Sequence, residues 1–218
     1  MKLNTPNKIT LTRLILGIVM VLLYSLTFLP VEIVNKFAPE MGTSGFSWID
    51  LVCACLFTAG SITDAVDGRI ARSRNLITDF GKFADPLADK FLVDAALIML
   101  CAKTDWYGHR MIYPIIVVVI VARDLAMDGL RMLANSKGKV LAANIYGKVK
   151  TGIEMGFIPV VFLNGFPFTY LNWNDWYNGH WEYAYIITNV AALVAMVMAV
   201  VSAIIYFKQN KDVFDTSK

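Results

Sequence analysis

The amino-acid sequence predicts an all-α membrane protein with six transmembrane helices in a single domain, residues 1–218. Hydrophobic residues make up 57% of the chain and charged residues only 17%, which is unlike a soluble domain. The mean hydropathy is +0.55. The apolar residues form runs of membrane-spanning length. Helices are the only spanning architecture that is consistent with such continuous runs.

Polar segments separate the apolar runs and set the expected order of elements. The predicted spans are residues 9–29, 48–67, 86–102, 111–131, 140–163 and 183–207. The segment after the first run contains Pro30, Pro39, Gly42 and Gly45, which favour a loop. The segment before the last run contains Trp173, Trp176 and Tyr177, which are typical of a membrane surface.

Lysine and arginine residues are distributed unevenly over the connecting segments. One side has Lys2, Lys8, Arg69, Arg72, Arg74, Lys82, Arg131, Lys137, Lys139, Lys208, Lys211 and Lys218. The other side has only Lys36, Lys103 and Arg110. By the positive-inside rule, both termini face the cytoplasm, as in a multi-pass protein of the plasma membrane. The net charge of +3 is too small to indicate nucleic-acid binding.

Four aspartates are concentrated between the second and third spans: Asp64, Asp67, Asp85 and Asp89. The members of each pair are three or four residues apart and therefore share a helical face. We expect the second helix to end in the first pair and the third to begin near residues 83–85, because Pro86 favours a first helical turn. Carboxylates at a membrane edge are costly and usually functional. Two facing pairs could bind two divalent cations, Mg²⁺ or Mn²⁺, in a phosphoryl-transfer site.

The spacing around these aspartates forms a longer pattern. It reads Asp64-x2-Asp67-Gly68-x2-Ala71-Arg72-x8-Gly81-x3-Asp85-x3-Asp89. This pattern resembles the motif of the CDP-alcohol phosphotransferases, which it matches over 26 residues without a gap or substitution. The N-terminal Pro6-Asn7-Lys8-Ile9-Thr10 with Arg13 is also similar to that family. Arg123-Asp124, Leu130-Arg131 and Gly147-Lys148-Val149-Lys150-Thr151 resemble the bacterial subgroup that uses glycerol 3-phosphate, although we expect Glu rather than Asp124 there.

The resemblance implies a reaction in which an alcohol attacks the lipid-side phosphate of CDP-diacylglycerol and CMP leaves. It implies that the four aspartates bind one or two divalent cations, and that Asp89 also acts as the general base. The residues implied to contact the CDP-lipid are Gly68, Arg72, Thr78, Gly81, Asn7 and Thr10. It further implies a homodimer in the lipid bilayer, with glycerol 3-phosphate as the acceptor.

Four basic residues lie at the expected cytoplasmic ends of the fourth and fifth spans: Arg123, Arg131, Lys148 and Lys150. A cationic pocket there would suit the phosphate of an anionic acceptor. Lys148 and Lys150 are two residues apart, so only one of them is expected to reach the site from a regular helix. Alternatively, Arg123, Asp124 and Asp128 form ion pairs within the fourth span, and positive-inside charge alone explains Arg131.

Other interpretations remain open for several residues. Asn7, Thr10 and Arg13 suit a helix cap and an interface anchor, and Thr78 suits a cap or turn. Gly147, Gly152 and Gly156 suit close helix packing. The same chemistry with inositol phosphate, inositol or serine as acceptor is an alternative. Intramembrane prenyltransferases and a cation transporter are alternatives from other classes; prenyltransferases do not require the Gly68, Ala71-Arg72 and Gly81 pattern.

Overall fold

The computed structural model describes residues 5–30, 33–34, 46–74, 79–103, 110–138, 145–166 and 181–211. Within helices, the backbone alone is described at positions 5–9, 64–74, 79–86, 89 and 181–184. The described chain is all-α. Its helices are α1 (Thr5–Ser25), followed by a 3-10 turn (Leu26–Phe28), α2 (Trp48–Arg74), α3 (Asp79–Leu100), α4 (Pro114–Ser136), α5 (Ile145–Phe162) and α6 (Trp181–Gln209).

The six expected helices are present, but two of the expected boundaries at the aspartate motif are wrong. Helix α2 does not end at Asp67 but continues to Arg74, because Arg and Ala are good helix formers and extend the helix beyond its apolar run. Helix α3 begins at Asp79, so Pro86 lies inside it and not in its first turn. A proline removes one backbone hydrogen bond, and helices that pack against neighbours tolerate this loss.

The helices pack around one main apolar core. Helix α1 packs against α2 and α3, helix α5 packs against α2, α3 and α6, and helix α4 packs against α6. The core contains fully buried side chains from all six helices, including Met20, Phe57, Leu97, Ile120 and Ala195. Apolar burial of this kind is the main stabilising contribution, and the charged site is built beside it.

A buried lysine fixes the end of the bundle that lies away from the aspartate motif. The Lys103 ammonium donates hydrogen bonds of 2.6 Å to Asp50 Oδ1 and to the carbonyl of Phe162. Burial lowers the pKa of Lys103, which the Asp50 carboxylate partly opposes. This contact joins the start of α2 to the ends of α3 and α5, so α2 runs antiparallel to α3 and α5. The C-terminus of α2 and the N-termini of α3 and α5 therefore share the opposite end.

Two glycines allow close contact among α1, α2 and α3. A Cβ added at Gly60 would lie 2.6 Å from Leu92 Cδ2, and one added at Gly17 would lie 3.0 Å from the Phe91 ring. Leu92 is only 2% exposed, so it has little room to move away. The missing side chain of Gly60 therefore sets the distance between the two helices that contain the aspartate pairs.

Among the residues that the structure describes, two helical segments are long and apolar enough to cross a membrane by themselves. They are Thr10–Phe28, with a mean hydropathy of 2.0, and Tyr185–Gln209, with a mean hydropathy of 2.6. The apolar part of α2, Trp48–Thr63, is shorter. Large apolar side chains are exposed on the outside of the bundle, for example Leu22 at 62% and Ile115 at 65%. An exposed surface of this kind suits contact with lipid.

We expect Gly60→Ala to destabilise the fold by about 1–3 kcal/mol, because the added methyl group overpacks the Leu92 contact. Gly129→Ala is the matched control, since no atom of the described residues lies within 4 Å of a Cβ added at that helical position. Thermal unfolding of the purified protein in detergent should show a lower midpoint for Gly60→Ala only. Equal midpoints for the two variants would contradict the close contact.

Candidate active site

A cavity of about 420 Å³ lies among α3, α4 and α5. Its charged and polar lining consists of Lys90, Arg123, Asp124, Arg131, Lys148, Lys150, Thr151 and Glu154. Lys90 directly follows the motif residue Asp89 in α3. The cavity therefore lies at the end of the bundle that contains the aspartate motif, and most of its charged side chains are basic.

All four of the basic residues that the sequence grouped together line this cavity. They differ in their surroundings. Lys150 is buried and Arg123 is half-buried, whereas Arg131 and Lys148 are exposed. The expectation that only one of Lys148 and Lys150 reaches the site is wrong, because both line the cavity from different faces of α5. One lies deep in the protein and the other lies at its surface.

Lys150 is held between two carboxylates in the interior. Its ammonium lies 2.5 Å from Asp124 Oδ2 on α4 and 2.9 Å from Glu154 Oε2 one turn further along α5. The side chains of these three residues are at most 8% exposed. Buried charges of this kind require partners, because an unpaired one has a large desolvation cost. Lys150 therefore stabilises the α4–α5 interface from inside the cavity wall.

The guanidinium group of Arg123 also forms hydrogen bonds within the protein. Its Nη1 donates to Asp124 Oδ1 at 2.8 Å, its Nη2 donates to Ser202 Oγ at 2.7 Å, and its Nε donates to the carbonyl of Ala199 at 3.2 Å. The alternative of ion pairs within the fourth span is confirmed for Arg123 and Asp124 and is wrong for Asp128, which pairs with a residue of α3. These bonds attach α4 to α6 and orient the guanidinium group beside the cavity.

Sequence reasoning missed Lys90 and Glu154. Lys90 forms an ion pair with Asp128 and donates a 3.0 Å hydrogen bond to the carbonyl of Asp124. Its contacts join α3 to α4 across 34 positions of sequence, so no local signal could reveal them. Glu154 is four residues after Lys150, and this spacing is a signal for an ion pair that could have been used.

Arg131 and Lys148 form no ion pair with any residue that the structure describes. Both are exposed and line the cavity. Gly147, which directly precedes Lys148, also lines the cavity, and a Cβ added there would be 3.5 Å from Arg123 Nη2 and from Ser202 Oγ. The two unpaired cations are thus available to an anion, whereas Arg123 and Lys150 add positive charge from within the wall.

The three glycines of α5 differ in how closely other side chains approach them. A Cβ added at Gly147 would make ordinary van der Waals contact with Arg123 and Ser202, so α5 lies close to α4 and α6 at this position. No described atom lies within 4 Å of a Cβ added at Gly152 or Gly156. Close packing between helices is therefore wrong as an explanation for these two glycines within the described structure.

The aspartate motif is described through its backbone. Positions 64 and 67 lie in α2, and positions 85 and 89 lie in α3. Gly68 and Arg72 are also in α2, Gly81 is in α3, and the side chains of all these residues lie outside the described part. Thr78 lies outside the described residues altogether. Asn7 is in α1, where its backbone alone is described, and Thr10 of the same helix is buried at 4% exposure.

Position 64 lies four residues after Gly60, and position 89 lies three residues before Leu92. The Gly60–Leu92 contact therefore brings the two aspartate pairs to the same level of the bundle. Carboxylates from two packed helices would provide only oxygen donors, which is the donor set that hard divalent cations prefer. The backbone arrangement thus fits a divalent-cation site next to the cationic cavity.

Comparison with known proteins gives a match over nearly the whole chain. The CDP-alcohol phosphatidyltransferase family profile matches residues 3–204. The CDP-diacylglycerol–glycerol-3-phosphate 3-phosphatidyltransferase of Bacillus subtilis is 36% identical over an alignment of 220 positions that covers 98% of each chain. Its namesake in Rickettsia typhi is 31% identical over 214 residues, which cover 97% of this chain and 99% of the relative. Another, from Yersinia pestis, is 32% identical over 72% of this chain.

We expect Lys150→Met to destabilise the protein by about 3–5 kcal/mol, because it leaves the buried Glu154 carboxylate without its cation and Asp124 with Arg123 alone. Lys148→Met is the matched control: it is two positions away on the same helix but exposed, and its effect on stability should stay within about 0.5 kcal/mol. Thermal unfolding in detergent measures both.

Adding Glu154→Gln to Lys150→Met should restore part of the lost stability, because it removes the buried carboxylate that has lost its cation. A Lys150→Met protein as stable as the Lys148→Met protein would show that the buried ion pairs contribute nothing.

Proposed function

The chain belongs to the CDP-alcohol phosphatidyltransferase family, and on that premise we propose that it transfers the phosphatidyl group of CDP-diacylglycerol to glycerol 3-phosphate. The products are phosphatidylglycerophosphate and CMP, so the enzyme contributes to phospholipid biosynthesis. The observation that carries this proposal is the position of the cationic cavity. Its wall includes Lys90, the residue directly after Asp89 of the aspartate motif.

The chemistry requires an activated hydroxyl and a stabilised leaving group. The hydroxyl oxygen of glycerol 3-phosphate attacks the lipid-side phosphorus of CDP-diacylglycerol, and the bond from that phosphorus to the oxygen of CMP breaks. Asp89 accepts the proton of the attacking hydroxyl. Asp64, Asp67 and Asp85, together with Asp89, hold one or two divalent cations, Mg²⁺ or Mn²⁺. When bound, these cations neutralise the charge that develops on the departing CMP.

The other motif residues fit the nucleotide side of the reaction. Arg72 is a fixed cation of the type that binds phosphate oxygens. Gly68 and Gly81 have no side chain, so a nucleotide can approach the backbone closely there. We assign Asn7, Thr10 and Thr78 to the same CDP-lipid pocket. The packing of α1 against both α2 and α3 supports this assignment for the two residues of α1.

The acceptor phosphate binds to Arg131 and Lys148 in this proposal. These two cations are exposed at the cavity and form no ion pair with described residues. Arg123 and Lys150 are bonded to Asp124, so they contribute to the positive potential and the shape of the cavity. Inositol and serine have no phosphate and would leave Arg131 and Lys148 unused, which favours a phosphorylated acceptor.

We place the enzyme in the plasma membrane with six spans and with both termini and the active site at the cytoplasmic face. The two strongly apolar helices and the exposed apolar side chains support insertion into a lipid bilayer. The excess of lysine and arginine at the aspartate-motif end supports the orientation. We also propose that the enzyme forms a homodimer in the bilayer.

The first test is the Asp89→Asn variant, for which we expect CMP release to fall at least 100-fold, since a general base contributes about 10²–10⁴-fold. Purified protein in detergent receives CDP-diacylglycerol, glycerol 3-phosphate and Mg²⁺, and CMP is quantified. Asp79→Asn is the control, because it changes an aspartate of the same helix outside the four motif positions. Full activity of folded Asp89→Asn would exclude the proposed base.

For the acceptor site, we expect Arg131→Gln and Lys148→Gln each to raise the KM for glycerol 3-phosphate by roughly 10-fold or more, since a hydrogen bond to a charged group contributes about 1.5–3 kcal/mol. The KM for CDP-diacylglycerol should change less than about twofold, because both residues lie on the acceptor side.

Lys208→Gln provides the matched control: Lys208 is an exposed basic residue in the last turn of α6 and is not part of the cavity wall. A similar increase in KM for Lys208→Gln would mean that the general positive charge of the surface, and not the cavity, attracts the acceptor.

A further inference from the structure

Arg13 is a buried charged residue to which the proposed reaction assigns no role. It is the only charged residue of the apolar segment Thr10–Phe28, and only 2% of it is exposed. A guanidinium group in such a position is costly unless an anion compensates it. An interface anchor would instead extend towards water. Its burial therefore indicates an anionic site inside the bundle.

Arg13 belongs to the packed face of α1, which consists of Thr10, Arg13, Gly17, Met20 and Tyr24. The contacts of this face fix its register. The Cys53 thiol of α2 lies 3.8 Å from the carbonyl of Met20, and a Cβ added at Gly17 would lie 3.6 Å from Leu92 Cδ1. Helices α1 and α2 are thus antiparallel, and the N-terminus of α1 lies at the aspartate-motif end.

The register places Arg13 beside the aspartate motif. Arg13 is four residues before Gly17, which is about one helical turn towards that end. Position 64 is one turn beyond Gly60, and position 89 is about one turn before Leu92. Because Leu92 contacts both Gly17 and Gly60, residues 13, 64 and 89 occupy the same level of three helices that pack together.

The acidic residues of α2 and α3 that could lie near Arg13 can be identified by elimination. The acidic residues of α2 and α3 are Asp50, Asp64, Asp67, Asp79, Asp85, Asp89 and Asp94. Asp50 is paired with Lys103 at the opposite end of the bundle. Asp94 lies among Asp124, Lys150 and Lys90, on the side of α4 and α5. The remaining acidic positions of these two helices are at the motif end, so the acidic positions at the level of Arg13 are those of the motif.

We propose that Arg13 is a substrate-binding residue whose guanidinium contacts the diphosphate of the CDP-lipid. This inference rests on the proposed function. Four carboxylates balance the charge of two divalent cations, so a bound diphosphate diester introduces two further negative charges into a low-dielectric site. Arginine keeps its charge there and binds phosphate oxygens in a bidentate manner. Arg13 thus contributes from α1, while Arg72 contributes from α2.

The test measures nucleotide binding as well as turnover. Full-length protein in detergent with Mg²⁺ is titrated calorimetrically with CDP and with cytidine, which lacks the phosphates. We expect Arg13→Gln to weaken CDP binding by roughly 10-fold or more, the usual size of a lost charged contact. Cytidine binding should change less than about twofold. The KM for CDP-diacylglycerol should rise, with the KM for glycerol 3-phosphate unchanged.

Two further variants separate binding from packing. Arg13→Lys keeps the charge but loses the planar fork, so its CDP affinity should lie between those of the wild type and Arg13→Gln, and it serves as the test if Arg13→Gln does not fold. Arg110→Gln is the control, because Arg110 is exposed and donates to the carbonyl of Cys101 at the opposite end. It should bind CDP like the wild type.

The possible outcomes are distinct. Unchanged CDP affinity in folded Arg13→Gln or Arg13→Lys overturns the inference. Equal losses for CDP and cytidine overturn it as well, because they indicate a packing role for Arg13. A wild-type protein that neither binds CDP nor releases CMP would instead refute the proposed function on which the inference rests.

Discussion

The buried carboxylate of Asp124 is the contact on which the arrangement of the charged site depends. It accepts hydrogen bonds from Lys150 of α5 and from Arg123, which in turn bonds to Ser202 of α6. The backbone carbonyl of Asp124 accepts a hydrogen bond from Lys90 of α3. One residue thereby connects four helices at the cavity. Little water competes for such hydrogen bonds inside an apolar bundle. They therefore fix the relative positions of the helices.

This network divides the basic residues of the cavity into two groups. Lys90, Arg123 and Lys150 are paired with carboxylates, and their positions are determined by the protein. Arg131 and Lys148 form no ion pair within the described structure and are exposed. A binding site for a small anion needs both kinds of residue, since the paired charges give it shape and the unpaired charges give it affinity. We infer a comparable role towards the nucleotide for Arg13 of α1, which packs against α3.

Much of this arrangement could be predicted from the sequence. The apolar runs predict the six helices, and the charges at the ends of the fourth and fifth runs mark the residues that line the cavity. The boundaries near the aspartate motif were wrong because hydropathy locates the apolar part of a helix and not its polar extension, and because Pro86 does not interrupt α3. The ion pair of Lys90 with Asp128 could not be predicted, since it depends on how α3 and α4 pack. The roles of the aspartates stay predictions.

The central claim is that this chain transfers a phosphatidyl group to a phosphorylated alcohol. The most direct measurement is CMP release from CDP-diacylglycerol by purified protein with Mg²⁺. Glycerol 3-phosphate, inositol 1-phosphate, inositol, serine or no acceptor is supplied in parallel, and the lipid product is identified by mass spectrometry. The account predicts CMP release with glycerol 3-phosphate and formation of phosphatidylglycerophosphate, with little or no release in the absence of an acceptor. Release that is equally fast with serine or inositol would contradict the assignment of the cationic cavity to the acceptor phosphate.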